Sequence, residues 1–178
     1  LLDEAHKRAA KINKSVAEEV GIGAVKYRSL SQERKSDIVF NWDEMLNLKG
    51  NSGPYLQYTY ARLKSILRKA HGAPQEVVRQ AHHKPDFMLL ETNSEKSVMR
   101  QLLYFTDAIE RAAERYETNV ITEYLFKLAN TLNYLYEKDP ILKAPKLLRE
   151  NRLNLIHAAT IVLKNGLALL GIKALEKM

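Results

Sequence analysis

Apolar residues recur at three- and four-residue intervals along most of the chain, which is the spacing of helices with one buried face. The pattern predicts a helix from about Pro54 to Ala70, whose buried stripe is formed by Leu56, Tyr60, Leu63 and Leu67. It predicts a second clear helix that stops at Asp139-Pro140, with a stripe formed by Ile121, Leu125, Leu128, Leu132 and Leu135. An all-α bundle is therefore the expected fold.

Weaker patterns predict the helices of the first fifty residues. An amphipathic helix is expected from Leu2 to about Lys14, and a second one over Ser15 to Val25 that is interrupted at Gly21 and Gly23. Close helix packing or a bend explains this Gly-Ile-Gly better than a dinucleotide loop, because no strand precedes it and no third glycine follows. Residues 38–42 alternate in a way that indicates a short extended segment, with a turn of helix from Asp43.

The second half of the chain carries its own start and stop signals. Thr92 and Glu95 have the spacing of a capping box for a helix that carries Phe105, and Asp107 is a point where that helix can restart. The polar stretch Gln75–Asn93 before it is expected to be a surface loop or a helix with a long connection. The last long helix is expected from about Pro145 to Lys164, with Gly166 as its stop and a further short helix within 167–178.

The stretch from Gly50 to Arg62 joins a well-formed helix start to an unusual surface. The glycines let the backbone turn, Asn51 or Ser52 can cap the helix, and Pro54 suits its first turn. Beside the buried stripe lies a second face, formed by Tyr55, Tyr58, Arg62, Ser65 and Lys69. This face interleaves rings that can stack on bases with cations that can meet phosphates, so it favours RNA binding.

Composition narrows the partners without identifying one. The 178 residues include 28 Lys and Arg against 21 Asp and Glu, a net charge of +7 that favours an anionic partner. With 46% hydrophobic residues, the chain can bury one sizeable core. The lack of cysteine excludes disulfides and thiolate chemistry, and the apolar runs are too short to span a bilayer. We expect a cytoplasmic protein that has neither a membrane nor DNA as its partner.

The sequence brings together no convincing set of reactive side chains, so no catalytic residue is assigned. His82 and His83 are adjacent, so they cannot share one helix face as metal ligands do, and Asp86 is the only nearby carboxylate. No metal site is therefore expected. The chain begins at Leu1 and its helical pattern starts at the second residue, from which we expect a fragment of a longer protein.

Several separated motifs resemble arginyl-tRNA synthetases, in the order of that family. The segments GIGAVKYRSLSQERKSDIVFNWDEML (21–46) and GNSGPYLQYTYARLKSIL (50–67) resemble the region where the catalytic domain ends and the anticodon-binding domain begins. The segments EYLFKLANTLNYLY (123–136) and RLNLIHAATIVLKNGLALLGIKALEKM (152–178) resemble the rest of that helical domain, which is of the DALR type. The resemblance implies that residues 1–49 end a class I catalytic domain and that residues 50–178 form the anticodon-binding bundle.

The resemblance also implies a function. The intact enzyme would attach arginine to tRNA(Arg) using ATP and magnesium, through HIGH-type and KMSKS-type motifs that this chain lacks. The chain alone would be inactive, hold no cofactor and recognise the anticodon loop, and we expect it to be a monomer. Thr118-Asn119 stands where the family often has a proline, and Leu135 stands where phenylalanine is frequent. These departures concern helix entry and packing.

By resemblance, the anticodon-loop contacts are Tyr55, Tyr58, Arg62, Asn133, Tyr136 and Met178, and Arg152 is a further cationic candidate. Each has a plainer interpretation. Tyrosines at helical spacing can be core-rim residues with a solvated hydroxyl, Arg62 and Arg152 could pair with Glu150 or Glu44, and a terminal methionine is normally frayed. Two other functions stay open: the anticodon domain of another class I synthetase, and a helical protein-interaction module that uses the tyrosines as a hot spot.

Overall fold

The computed structural model describes residues 1–33, 35–71 and 86–178, and the regular structure within these ranges is helical. The predicted all-α fold is thus confirmed. Two short 3₁₀ turns, Lys14–Val16 and Phe87–Leu89, accompany the longer helices. In chain order the α-helices are α1 (Leu2–Ile12), α2 (Ala17–Leu30), α3 (Trp42–Met45), α4 (Gly53–His71), α5 (Asn93–Leu103), α6 (Phe105–Arg115), α7 (Asn119–Lys138) and α8 (Lys146–Leu169).

The predicted helix starts are largely those of the structure. Ser52, not Asn51, caps α4, because the Ser52 hydroxyl accepts the backbone N–H of Tyr55 at 3.2 Å. The capping box at α5 forms as predicted: Thr92 N–H donates to Glu95 Oε2 at 2.8 Å, and Glu95 N–H donates to Thr92 Oγ1 at 3.2 Å. The glycine and proline predicted to stop α4, the pair His82-His83 and most of the predicted Gln75–Asn93 loop lie outside the described residues.

Helix α4 packs against α2, α7 and α8. Its predicted stripe is buried throughout, with no member more than 6% exposed. The α7 stripe is buried from Leu125 to Leu135, whereas Ile121 at its start is only half-buried. These two stripes and the inner face of α8 form one continuous core. The hydrophobic burial that stabilises the fold therefore occurs largely on the faces that the 3.6-residue period predicted.

Three glycines predicted to interrupt or stop helices lie inside continuous ones. Helix α2 runs unbroken through Gly21 and Gly23 to Leu30, and α8 passes through Gly166 to Leu169. A Cβ on Gly21 would lie 2.9 Å from the carbonyl carbon of Ala5 in α1, and one on Gly166 would meet the Leu125 side chain in α7. These glycines therefore permit close helix contacts, and the predicted interruption and stop are wrong.

Three further boundaries differ from the predicted ones. The segment 38–40 is exposed and joins no sheet, and α3 begins at Trp42, where Asn41 accepts the N–H groups of Asp43 and Glu44. The helix predicted to carry Phe105 breaks at Tyr104 instead, giving α5 and α6. The tail after α8 is irregular, not helical, because Gly171 adopts a left-handed φ of 64° and ends the helical path.

A buried ionic network joins α5, the end of α7 and α8. Arg152 is 5% exposed; its Nε donates to Glu95 Oε1 at 2.6 Å and its Nη2 to Asp139 Oδ1 at 3.3 Å. Its Nη1 donates to the Pro140 carbonyl at 2.9 Å. Ser94 and Thr92 donate to the other oxygen of Asp139. Every charge in the network therefore has an opposite charge and further hydrogen bonds, as burial requires.

We expect Gly53→Ala to destabilise the fold, because its methyl group would collide with the Gly23 carbonyl and approach Tyr27 Cβ at 3.0 Å. Backbone atoms cannot move aside as a side chain can, so the loss should be about 1–3 kcal/mol in urea unfolding. The control is Gly50→Ala, whose methyl would meet the exposed side chain of Asn47 at 3.2 Å. It should change stability by less than about 0.5 kcal/mol. Equal effects of both substitutions would contradict the close α2–α4 contact.

We expect Arg152→Met to cost about 3–5 kcal/mol, because it leaves the Glu95 carboxylate buried without a counter-charge. Adding Glu95→Gln to the same chain should recover part of that loss, since the uncompensated charge disappears. Urea unfolding of the wild type, the two single variants and the double variant measures the coupling. Strict additivity would show that the pair does not interact.

Candidate nucleic-acid interface

A groove of about 850 Å³ lies between α4 and the end of α7. The connection from Pro140 to Lys143 and the last two residues of the chain complete its walls. We call it the α4–α7 groove; its aromatic residues are Tyr58 and Tyr136, and its basic residues are Arg62, Arg68, Lys69, Lys143 and Lys177. Glu137 is the one acidic residue among the lining side chains that lie within the described ranges. The groove is therefore a concave, cationic surface with two rings on it, which suits a polyanion with flat bases.

Arg62 sits between the two tyrosine rings of the groove. Its guanidinium carbon lies 4.7 Å from the Tyr58 ring centroid and 5.1 Å from the Tyr136 ring centroid, both within cation–π range. Its Nη2 donates to the Tyr58 hydroxyl at 3.0 Å, and its Nη1 donates to Asn133 Oδ1 at 2.6 Å. The predicted pairing of Arg62 with Glu150 or Glu44 is thus wrong: its partners are an amide and two rings.

Asn133 connects this arrangement to the core. Its side-chain nitrogen donates to the Tyr55 hydroxyl at 2.9 Å and to Thr59 Oγ1 at 3.0 Å, and Tyr55 in turn donates to Asn130 at 2.7 Å. Because its amide bonds Arg62 on one side and α4 hydroxyls on the other, Asn133 fixes the distance between α4 and α7 beside the groove. Its direct hydrogen bonds leave it better suited to holding Arg62 than to meeting a base.

Tyr55 was predicted to lie on the RNA-binding face, but the structure buries it. It is 8% exposed, its ring packs edge-on against Phe126 at 5.8 Å, and its hydroxyl is bonded to both asparagines. This is the core-rim role that its helical spacing also allowed. The face predicted from spacing is real for Tyr58, Arg62, Ser65 and Lys69, which all line the groove.

Tyr136 and its neighbour Tyr134 are both exposed near the end of α7, at 46% and 52%. They point to different places. Tyr136 lines the α4–α7 groove and contacts Arg62, whereas Tyr134 lies beside Lys138, whose Nζ is 5.9 Å from its ring centroid. Two similar side chains on one helix therefore differ chiefly in whether they reach the groove.

Arg152 is absent from the groove, since its guanidinium is bonded inside the buried network with Glu95, Asp139 and Pro140. The structure therefore contradicts its assignment as an RNA contact, and the predicted pairing with Glu150 or Glu44 is also wrong. Met178 does line the groove and is half-buried, so the terminal residue is not frayed. The structure adds three basic residues to the groove that the sequence analysis did not name: Arg68, Lys143 and Lys177. In the sequence, only their positive charge and their nearness to groove residues could have indicated them.

The described ranges contain neither a metal-binding cluster nor a membrane-spanning helix. Within residues 1–33, 35–71 and 86–178, no three His, Asp or Glu side chains are grouped so that they could hold a metal ion. No helix in the same ranges combines the length and hydrophobicity that a membrane crossing needs.

Comparison with known proteins gives a family for this helical unit. Residues 56–178 match the model of the DALR anticodon binding domain. The arginine–tRNA ligase of Fusobacterium nucleatum is 40% identical over all of this chain, which covers 32% of that protein. The arginine–tRNA ligase of Thermococcus kodakarensis is 43% identical over 92% of this chain, corresponding to 25% of its own length.

Solved structures agree with these relatives. The Thermus thermophilus arginyl-tRNA synthetase superposes on 99% of this chain with a TM-score of 0.88 and 36% identity, and the match covers 31% of that protein. The Plasmodium falciparum arginyl-tRNA synthetase does so with a TM-score of 0.80 and 26% identity. The chain thus spans about a third of the relatives it matches. Since the family model covers most of its length and includes both walls of the groove, the chain belongs to the DALR anticodon binding domain family.

Proposed function

We propose that the chain recognises the anticodon loop of tRNA(Arg), as part of an arginine–tRNA ligase. The observation that carries this proposal is the α4–α7 groove, which places two tyrosine rings and five basic side chains on one concave surface of a DALR domain. Single-stranded RNA loops are read by bases that stack on flat side chains while cations meet the backbone. The names of the relatives, which are arginine–tRNA ligases, support arginine as the amino acid.

The groove divides these tasks among its residues. Tyr58 and Tyr136 offer ring faces on which bases can stack, at about 1–3 kcal/mol per base. Lys69, Lys143 and Lys177 lie where a phosphate backbone would pass. Arg62, held by Asn133, can donate to the edge of a base that enters beside it. Tyr55 and Asn133 serve as the support that holds these groups.

The intact enzyme would attach arginine to tRNA using ATP and magnesium, and we assign that chemistry to the part of the relatives that this chain does not span. Among the described residues, no three His, Asp or Glu side chains are grouped so that they could hold a metal ion. We propose that residues 1–49 are the end of the catalytic domain, packed on the anticodon-binding unit of residues 50–178 through the α2–α4 contact. We also propose a cytoplasmic monomer.

We expect the chain to bind tRNA(Arg) with an affinity that falls as salt rises. If all five basic groove residues met phosphates, the slope of log Kobs against log salt would be about −3.5, at roughly 0.7 per contact. Filter binding or fluorescence anisotropy from low to moderate salt measures it. Binding that is absent at low salt, or indifferent to salt, would favour the protein-interaction module instead.

We expect Tyr136→Ala to weaken binding of tRNA(Arg) by the value of one stacked base, about 1–3 kcal/mol, and to reduce discrimination against tRNAs with other anticodons. Tyr134→Ala is the matched control, because Tyr134 is equally exposed on the same helix but does not line the groove. Neither change should shift the melting temperature appreciably, since neither ring is part of the core. The assignment fails if both variants bind alike, or if Tyr136→Ala loses cognate and non-cognate tRNA to the same extent.

A further inference from the structure

The last nine residues, 170–178, have no regular structure and yet are held in place; we call them the C-terminal tail. The side chains of Leu170, Ile172 and Leu175 are at most 4% exposed. Chain termini without such contacts are usually disordered. Hydrophobic burial therefore anchors the tail as far as Leu175, but it does not account for the position of the three residues that follow.

Polar contacts also tie the tail to two separate helices. The buried Gln57 of α4 donates to the Lys173 carbonyl at 3.0 Å and to the Glu19 carbonyl of α2 at 3.1 Å. Lys173 Nζ bonds Glu19 Oε1 at 2.8 Å, and this contact lowers the pKa of Glu19 and raises that of Lys173. The tail thus runs between α2 and α4 and leads toward the groove.

Beyond Leu175, Glu176 makes the remaining contacts with α4. Its Oε1 accepts the Tyr60 hydroxyl at 3.1 Å, its Oε2 lies 3.3 Å from Lys64 Nζ, and its backbone carbonyl accepts Arg68 Nη1 at 2.8 Å. Tyr60, Lys64 and Arg68 are spaced four residues apart, so they form one row along α4. Burial and the Glu176 carboxylate raise the pKa of Tyr60 to about 12, so its hydroxyl remains a donor at neutral pH.

The two residues after Glu176 are the ones that line the groove. Lys177 and Met178 form part of its wall beside Arg68, which also donates to the Glu176 carbonyl. If these residues were free, RNA binding would have to order them, at a cost in conformational entropy. Because the contacts with α4 hold Glu176 in place, the two residues that follow it are already ordered before RNA binds, and binding does not incur this entropic cost.

We propose that Glu176 is a positioning residue for RNA binding: by bonding along the Tyr60–Lys64–Arg68 row, it places Lys177 and Met178 in the α4–α7 groove. The inference rests on the proposed function for its RNA readout, but the placement of Met178 can be measured without RNA. Nothing in the proposal requires Glu176 to touch the RNA, and its negative charge would oppose such a contact.

This proposal predicts the opposite sign from simple electrostatics. Glu176→Gln raises the net charge by one and frees Lys64 from its counter-charge, so charge alone would strengthen tRNA binding. Loss of positioning should instead weaken it, by about two- to fivefold, the scale of a surface ion pair with its hydrogen bonds. The matched control is Glu114→Gln on α6, which makes the same charge change at an exposed residue that does not line the groove. It should bind as tightly as the wild type or slightly more tightly.

A second variant removes the charge argument altogether. Tyr60→Phe deletes one hydrogen bond to Glu176 without altering the net charge, and it should weaken binding in the same direction by a smaller factor. In the Met178→Ala background, Glu176→Gln should lose part of its weakening effect, because Met178 is one of the two residues that Glu176 positions.

The direct measurement is the ¹³C-methyl NMR signal of Met178, one of four methionines in the chain. In the RNA-free protein, Glu176→Gln should narrow this signal and move it toward the random-coil position, with the melting temperature unchanged. The inference is overturned if the Met178 signal is unaffected, or if Glu176→Gln binds tRNA as tightly as Glu114→Gln does. If the wild type bound no tRNA, the proposed function would fail, and the methyl signal would still decide whether Glu176 places Met178.

Discussion

The close approach of α2 to α4 is the constraint on which the rest of the structure depends. A methyl group on Gly53 would collide with the Gly23 backbone, and one on Gly23 would lie 2.9 Å from the side-chain oxygen of Gln57. Gln57 then bonds the backbones of α2 and the C-terminal tail from a fully buried position. These two hydrogen bonds from Gln57 Nε2 fix the rotation of α4 about its axis as well as its position, although Gln57 Oε1 has no hydrogen-bond partner among the described residues.

Once the rotation of α4 is fixed, the roles of its faces follow. One face enters the core and a second carries Tyr58 and Arg62 into the groove. The row that bonds Glu176 lies between them, from Tyr60 in the core to Arg68 in the groove. The groove and the tail are therefore consequences of how one helix is packed. A small rotation of α4 would move Arg62 and the tail contacts together. Two sets of hydrogen bonds oppose such a rotation: Asn133 of α7 bonds Arg62, and Gln57 of α4 bonds the tail.

How much of this was predictable depends on which physical signal each feature leaves in the sequence. Helical periodicity identifies the residues that face the core, so the stripes of α4 and α7 and the capping box at Thr92 were correctly predicted. Periodicity does not reveal which helix packs there, or how closely. Gly166 carried the sequence signature of a helix stop, but it accommodates Leu125, a residue 41 positions earlier in the sequence. The tail was assigned to a helix because its apolar residues recur, although they are buried as an irregular segment.

The same distinction between local patterns and long-range contacts applies to the site residues. Tyr58 and Arg62 were predicted because rings and cations on one helix face are a local pattern, whereas Tyr136 was predicted from the family resemblance. Tyr55 belongs to the same pattern, yet its hydroxyl bonds Asn130 and Asn133 of α7. It therefore holds α4 and α7 together beside the groove and does not line it. Arg152 reads as a surface cation in sequence, and its partners, Glu95 and Asp139, are distant from it along the chain. Long-range polar contacts of this kind leave no periodic trace.

The resting position of Arg62 bears on how a base could enter the groove. In the proposed function, a base that stacks on the face of Tyr136 covered by Arg62 must replace the guanidinium that lies against that ring. A partly exposed cation–π contact is worth about 0.5–1 kcal/mol, whereas a stacked base is worth about 1–3 kcal/mol. The exchange therefore favours the base or is nearly neutral. Arg62 need not leave the site, because its bonds to Asn133 and the Tyr58 hydroxyl do not involve the Tyr136 ring. In the proposed function, the Arg62 guanidinium that covers the Tyr136 ring in the free protein is thus positioned to bond the edge of the base that takes its place on that ring.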